Sequence, residues 1–194
     1  QTGLLKTRVH SPMVGGNCSA CHADAKSDKP FAVSAEGAAL CTTCHDSKDL
    51  TGGAKNEHAP FSGGMCTSCH DPHAAPGKKL LVRRGNALCA ECHADQVKRV
   101  AYRHKAVDGE QGCLTCHAPH ASNGRALLGK ADTELCVGCH TKVKDTAVKV
   151  AHKPVKEGRC AACHNPHGSD LKSLLKDRED KVCFTCHADA DTNF

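Results

Sequence analysis

The feature that most constrains this chain is a five-residue motif, Cys-x-x-Cys-His, which occurs eight times in 194 residues and uses all 16 cysteines. The motif is typical of c-type haem attachment: the two thiols can form thioethers to the haem vinyl groups, and the adjacent histidine can bind the iron. The sequence therefore predicts eight covalently bound c-type haems as cofactors.

The predicted ligands of these haems are taken directly from the motifs. The thioether-forming residues are Cys18, Cys21, Cys41, Cys44, Cys66, Cys69, Cys89, Cys92, Cys113, Cys116, Cys136, Cys139, Cys160, Cys163, Cys183 and Cys186. The proximal iron ligands are His22, His45, His70, His93, His117, His140, His164 and His187. Below, haems 1 to 8 are numbered in this order.

Two other uses of paired cysteines fit the pattern less well. Zinc ribbons also use C-x-x-C pairs at similar spacing, but they do not need a histidine after every pair. Disulfides within C-x-x-C units suit redox centres better than structural cross-links. The histidine that follows all eight pairs favours haem.

The motifs alternate in character, which indicates a longer repeat. Odd-numbered motifs closely follow a glycine, whereas even-numbered motifs follow leucine or valine. The true repeat is therefore a pair of haems, present four times, with boundaries at about 10–57, 58–103, 104–151 and 152–194. We expect one elongated octahaem unit in which each repeat mainly contacts its neighbours.

The composition predicts a core built from cofactors. The chain has no Trp, one Tyr and four Phe, too few large apolar side chains for an ordinary core in 194 residues. We therefore expect a mostly irregular fold with short α-helices and little or no β-structure, filled by haem. Weak helical patterns cover residues 87–96, 97–104, 133–143 and 179–188.

Several residues of the repeat have a predicted role beside a porphyrin. The glycine before each odd motif allows the backbone to approach the ring closely, and His-x-Pro favours an extended segment that carries the histidine across a haem face. Three Leu-Leu pairs, at 80–81, 127–128 and 174–175, are expected to pack on porphyrin or in a small local protein core.

Seven histidines remain as candidate distal ligands for eight irons. They are His10, His58, His73, His104, His120, His152 and His167. Each lies in a fixed register of the repeat, either eight or nine residues before an odd motif or three residues after its proximal histidine. His167 is expected to bind a neighbouring haem, because the porphyrin held by His164 separates it from the far side of that iron.

The missing eighth histidine leaves two possibilities open. In repeat one, Ala25 stands at the register of His73, His120 and His167. If these histidines serve a haem of their own repeat, the orphan iron lies in the first haem pair. If they reach back to the preceding repeat, haem 8 is the expected orphan. Met13 is a possible eighth distal ligand, and packing on a porphyrin is an equal alternative for it.

The chain resembles the multihaem c-type cytochromes with doubled C-x-x-C-H motifs. The resemblance is sharpest in the sequences CTSCHDPH, CLTCHAPH and CAACHNPH, which begin at Cys66, Cys113 and Cys160. It implies electron transfer along closely spaced, mostly bis-His haems, in a periplasmic carrier, an outer-membrane conduit or an extracellular filament.

Charge and the start of the sequence bear on partners and location. The formal net charge is +5, but two propionates per haem more than cancel it, so lysines and arginines are expected to pair with propionates rather than with nucleic acid. No apolar run is long enough for a transmembrane helix. Because the sequence starts at Gln1 without an initiator Met, we expect that a signal segment was removed on export.

These observations favour an electron-transfer protein rather than an enzyme. With about 24 residues per motif there is little polypeptide for a substrate pocket. The alternatives are a multihaem reductase that acts at the orphan iron, and a haem store. Expected partners are other redox proteins or further copies of the chain, with an extracellular filament favoured over a periplasmic carrier.

Overall fold

The structure is a computed structural model that describes residues 6–143 and 152–188. Its α-helices span four to six residues each. They are α1 (Ser11–Val14), α2 (Ala38–Thr42), α3 (Ser47–Thr51), α4 (Ala59–Ser62), α5 (Asn86–Cys89), α6 (Asp132–Val137), α7 (Lys153–Lys156) and α8 (Glu179–Phe184). The mostly irregular fold with short helices that the sequence predicts is therefore confirmed.

The two classes of motif adopt different local structures. Each odd motif begins with a single 3₁₀ turn, at Cys18–Ala20, Cys66–Ser68, Gly112–Thr115 and Cys160–Ala162. Each even motif has its first cysteine in α2, α5, α6 or α8. In both classes the histidine N–H donates to the carbonyl of the first cysteine, as in His22 to Cys18 at 3.0 Å and His45 to Cys41 at 3.0 Å. One helical turn thus orders all three haem-binding side chains.

Three short antiparallel strand pairs join each repeat to the next. The strands are β1 (Arg8–Val9), β2 (Asn56–Glu57), β3 (Ala74–Ala75), β4 (Tyr102–Arg103), β5 (Ala121–Ser122) and β6 (Gly168–Ser169). Strand β1 pairs with β3, β2 with β5 and β4 with β6. In each pair, a strand just before the first histidine of one repeat meets a strand just after the C-x-x-C-H-x-P-H sequence of the next.

The chain divides into two compact units. The first comprises the chain up to Glu91 together with Ala118–Leu127, and the second comprises Cys92–His117 together with the chain from Leu128. Pairs β1–β3 and β2–β5 belong to the first unit, and β4–β6 belongs to the second.

Buried residues are few and small. Ala74 and Ala75 of β3 have no exposed surface, and Ala121 and Ser122 of β5 are 7% exposed. Within residues 6–143 and 152–188, no large side chain is fully buried. The polypeptide therefore supplies only small packing centres at the strand pairs, in keeping with the low content of large apolar residues.

The helix predictions are partly right. Residues 179–188 contain α8 and residues 133–143 contain most of α6. Residues 87–96 divide into most of α5 and a separate 3₁₀ turn at Ala94–Gln96. The prediction for 97–104 is wrong, because Tyr102–Arg103 form β4 and hydrogen bond to β6 instead. The predicted repeat boundary at residue 151 and the end of repeat four at 189–194 lie outside the described residues.

Membrane insertion by a helix finds no support in the described part of the chain. None of the helices there has the length and apolarity that a bilayer crossing requires.

Candidate haem sites

The motif cysteines are available for attachment to haem. All 16 lie in the described residues, and none forms a disulfide. Motifs that follow one another also lie close together: the thiols of Cys41 and Cys66 hydrogen bond, as do those of Cys136 and Cys160. Burial and the neighbouring thiols raise the pKa of Cys136 to about 11 and raise the pKa of Cys41. The attachment sites of haems 2 and 3 are therefore adjacent, and so are those of haems 6 and 7.

Three odd proximal histidines, those of haems 1, 3 and 7, are each oriented by a backbone carbonyl nine residues further along the chain. The Nδ1 of His22 donates to the Phe31 carbonyl at 2.7 Å, and the Nδ1 of His70 donates to the Lys79 carbonyl at 2.7 Å. The Nδ1 of His164 donates to the Ser173 carbonyl at 2.8 Å. Because Nδ1 is occupied, the tautomer leaves the Nε2 lone pair for a metal.

The residues that present these carbonyls have left-handed backbone conformations. Positive φ angles occur at Phe31, Lys79, Leu80, Ala126, Leu127, Ser173 and Leu174, all between 49° and 59°. Non-glycine residues rarely adopt this conformation, which costs about 1–2 kcal/mol for each residue. The sequence prediction missed this role, although a residue pair that ends in leucine recurs at the same distance from the odd motifs of repeats two, three and four.

The Leu-Leu pairs form part of the same turn. The first leucine of each pair is the second left-handed residue, and the second leucine bridges the proximal histidine. In repeat two, for example, Leu81 pairs with His70. The leucines therefore shape the support of the proximal ligand, while their predicted contact with porphyrin stays a prediction.

Lys79→Gly is expected to raise the free energy of unfolding by about 0.5–1 kcal/mol, because glycine adopts φ 57° without steric cost. The matched control is Lys78→Gly, in the same turn but with an ordinary φ, which should lower it by about the same amount. Guanidinium unfolding of the haem-loaded protein measures both. A destabilised Lys79→Gly protein would contradict the proposed strain.

The histidines that begin the repeats are also oriented by carbonyls, here from the next repeat. The Nδ1 atoms of His10, His58 and His104 donate to the carbonyls of Pro72, Pro119 and Pro166 at 2.9, 3.0 and 2.9 Å. His10 and His58 also donate their backbone N–H to the carbonyls of His73 and His120. Strand pairing between repeats thus fixes two candidate distal ligands together.

The His-x-Pro segment differs in part from the prediction. His10, His58 and His152 are extended, as expected, with ψ between 118° and 138°. The proline does not continue the extension. It lies in the first turn of α1, α4 or α7, where its missing N–H costs nothing.

Among the described residues, the imidazole rings of six pairs of histidines face each other. Their centres are 5.8–6.3 Å apart. The pairs are His10–His45, His22–His73, His70–His120, His104–His140, His117–His167 and His152–His187. Each contains one predicted proximal histidine and one predicted distal candidate.

This separation fits an iron between the two rings. Two metal–nitrogen bonds of about 2 Å, plus about 1 Å from each Nε2 to its ring centre, give a centre-to-centre distance of about 6 Å. The carbonyls on Nδ1 leave Nε2 as the ligating atom. Histidine pairs at this spacing, each beside the two cysteines of a motif, fit a covalently attached haem.

The facing pairs distinguish the two open possibilities for the histidines after C-x-x-C-H. His73, His120 and His167 each face the first proximal histidine of the preceding repeat, namely His22, His70 and His117. These histidines therefore reach back along the chain.

The expected consequence for haem 8 is wrong, because His152 faces His187 at 6.3 Å. In the described pairs, a histidine of the next repeat faces only the first proximal histidine of a repeat. The candidate orphan is instead haem 7, whose proximal histidine is His164. Among the described residues, which include every histidine of the chain, no imidazole faces His164.

Met13 occupies a packing position of the repeat. It lies in α1 three residues after His10, at the register of Phe61, Val107 and Val155. Val107 is buried and Phe61 stacks on a histidine, and neither has a ligating atom. Both proximal histidines of repeat one already face an imidazole. The register thus favours packing, and ligation by Met13 stays a prediction.

The His70–His120 pair differs from the other five. Its ring planes are inclined by 48°, whereas the others are inclined by 18–25°. The Phe61 ring stacks on His120 at 5.0 Å, and the Leu50 carbonyl accepts a hydrogen bond from its Nδ1 at 3.3 Å. These two contacts hold the His120 ring away from coplanarity with His70.

The candidate distal histidine His167 is favoured as a neutral base. Burial lowers its pKa, and the positive charges of His117, Arg103 and His104 lower it further. A neutral imidazole is the form that binds a metal.

Glycines before the odd motifs allow neighbouring motif segments to approach. Gly64 and Gly158 have φ of 69° and 70°. A Cβ on Gly64 would lie 3.0 Å from the Cβ of Ala38 in α2, and one on Gly158 would collide with Thr133 in α6. The close approach that these two glycines allow is therefore to the helix of the preceding motif. Their predicted approach to a porphyrin stays a prediction.

Comparison with known proteins identifies the repeat. The sequence profile of a family described as doubled CXXCH motif matches residues 10–50, 58–98, 104–145 and 152–192, one match for each two-haem repeat. No curated protein matches the chain significantly.

Proposed function

Because the chain belongs to the doubled CXXCH motif family, and is thus a multihaem c-type cytochrome with eight haem c sites, we propose that it conducts electrons through mostly bis-His haems. The six facing imidazole pairs carry this proposal. When bound, each haem supplies an iron that can gain or lose one electron.

The polypeptide contributes ligand orientation and fixed spacing. Carbonyl groups hold the Nδ1 atoms of histidines such as His10 and His70, so the Nε2 atom of each is aimed before the metal is bound. Strands β1 and β3 tie repeat one to repeat two, and β4 and β6 tie repeat three to repeat four. Rigid spacing between cofactors is what a conductor requires, and about 24 residues per motif leave little polypeptide for a substrate pocket.

Rapid-mixing reduction of the haem-loaded protein tests the proposal. A single small-molecule donor should reduce all eight haems, and a single acceptor should reoxidise them, without net turnover. Steady consumption of nitrite, hydroxylamine or tetrathionate in proportion to protein concentration would support a reductase instead. Haems that remain oxidised under excess donor would contradict conduction through the whole series.

The form of the conductor that we favour is a protomer of an extracellular filament, exported before haem attachment. Support comes from the way ligands are donated: a strand and a histidine of one repeat complete a site of the preceding repeat, an arrangement that extends in series without a large core. Negative-stain microscopy of the purified protein should show filaments. Monodisperse particles at all concentrations would support a soluble periplasmic or conduit-bound carrier.

Phe61→Val is expected to change the low-temperature EPR spectrum of one haem. Valine stands at this register in repeats three and four, and it would release the His120 ring to rotate toward the orientation of the other pairs. The g-values of one of the low-spin signals should shift, while Val155→Ala should leave all signals in place. An unchanged Phe61→Val spectrum would show that the stack does not set the ligand orientation.

A further inference from the structure

We infer that haem 7, held by Cys160, Cys163 and His164, has a ligand-binding position on its distal side that accepts small neutral diatomic molecules of the carbon monoxide class. The inference rests on the bis-His ligation proposed above. It assigns a binding site to one specific haem of the eight.

The first step concerns how the first haem of a repeat obtains its second imidazole. In each of the three junctions, the donor is the histidine three residues after the proximal histidine of the next repeat: His73 for haem 1, His120 for haem 3 and His167 for haem 5. The sequence contains three histidines of this register, and all three are used by haems 1, 3 and 5.

The second step concerns the histidines of repeat four itself. His167 lies opposite His117, and His152 lies opposite His187. His164 keeps its own support, since its Nδ1 donates to the Ser173 carbonyl at 2.8 Å. The site therefore has a complete proximal side, and the described residues place no imidazole opposite it.

The third step is the chemistry of the remaining candidates. Residues 1–5, 144–151 and 189–194 contain no histidine or methionine. The second methionine, Met65, directly precedes the haem 3 motif, and Met13 lies at the apolar packing register. An iron bound by one neutral imidazole and four porphyrin nitrogens binds diatomic molecules in its sixth position, as the His-ligated haems of globins do.

The test is titration of the dithionite-reduced, haem-loaded protein with carbon monoxide, followed by its difference spectrum. The expected stoichiometry is about one carbon monoxide for every eight haems. His167→Ala, which removes the imidazole opposite His117, should raise it to about two. This variant keeps all motif cysteines and calibrates the spectral change of one opened haem.

Two matched deletions locate the site. Cys160→Ala with Cys163→Ala removes the attachment of haem 7, and the carbon monoxide signal should vanish while seven haems remain by mass spectrometry. Cys183→Ala with Cys186→Ala removes haem 8 instead and should keep the signal. If the haem 7 deletion fails to fold, the stoichiometry of the parent and of His167→Ala still decides the count.

Either of two results would overturn the inference. A parent protein that binds no carbon monoxide, with a His167→Ala variant that binds one, would mean that another group completes haem 7. A signal that survives the loss of haem 7 would place the open iron elsewhere. Neither result affects reduction of the haems by one donor, so failure here is distinguishable from failure of the proposed electron transfer.

Discussion

Gly158→Ala is expected to lower the free energy of unfolding of the haem-loaded protein by about 2–4 kcal/mol. Gly158 is buried with φ 70°, and a Cβ there would collide with Thr133 of α6. A left-handed alanine costs about 1 kcal/mol, and displacing a packed side chain adds about 1–3 kcal/mol. Guanidinium unfolding followed by circular dichroism measures the loss.

The chain offers a closely matched control in repeat one. Gly16 has φ 67° at the same register, but a Cβ there would meet nothing within 4 Å. Gly16→Ala should therefore cost only the backbone contribution, about 1 kcal/mol. In the background of Thr133→Gly, which removes the colliding side chain, Gly158→Ala should cost about as little as Gly16→Ala. Equal losses at 16 and 158 in the parent background would show that the contact with α6 is unimportant.

His73→Ala is expected to convert one haem of the eight from low spin to high spin. The His73 ring lies 5.8 Å from that of His22, and its loss leaves haem 1 with a single imidazole. The backbone carbonyl of residue 73, which accepts the His10 N–H, is retained, so the strand pair should persist. Low-temperature EPR should show one new high-spin ferric signal, and exogenous imidazole should remove it.

Two variants test whether this effect belongs to the ligand. His73→Met offers a thioether in place of the imidazole and should keep haem 1 low spin, with a raised reduction potential. Ala25→His adds a histidine at the same register of repeat one. Residues 1–17 contain no attachment motif, so this variant should leave the spin state of every iron in a monomer unchanged. A fully low-spin His73→Ala protein would contradict the facing-pair assignment of His73.

Haem attachment is the part of the site that the sequence predicts most fully. Thioether chemistry requires two thiols and a histidine at one spacing, so the motif alone identifies the cofactor of all eight sites. The distal candidates also follow from register: the chain has 15 histidines, and every one that faces another in the six pairs falls in a predicted proximal or distal position.

The pairing of ligands with haems could not be predicted, because it depends on contacts between repeats. Those contacts are made by strands of two residues, such as Arg8–Val9 with Ala74–Ala75, which are too short to show any periodicity. For this reason the sequence left open whether the orphan iron lies in the first haem pair or at haem 8, and the facing pairs fit neither alternative. His73, His120 and His167 face only the first proximal histidine of the preceding repeat, a selectivity that accompanies the strand register.

Backbone conformation was the second unpredictable element. Lys79 and Ser173 are ordinary residues in sequence, yet both adopt left-handed conformations and present a carbonyl to a proximal histidine. Local propensity argues against this geometry, which lies next to the bridges of Leu81 to His70 and of Leu175 to His164. A residue pair repeated at constant distance from the motif is the signal by which such support can be recognised.

Export before haem attachment, as proposed above, would set an order of maturation on the chain. His22 lies 51 residues before His73, so we expect haem 1 to be attached to its cysteines before the imidazole that faces His22 is available. The imidazole that faces His45 of haem 2 belongs to His10, which precedes the motif and would already be present. Under the proposed ligation, each newly exported repeat would finish a haem of the repeat before it, and we expect the final redox properties to arise progressively from the amino-terminal end.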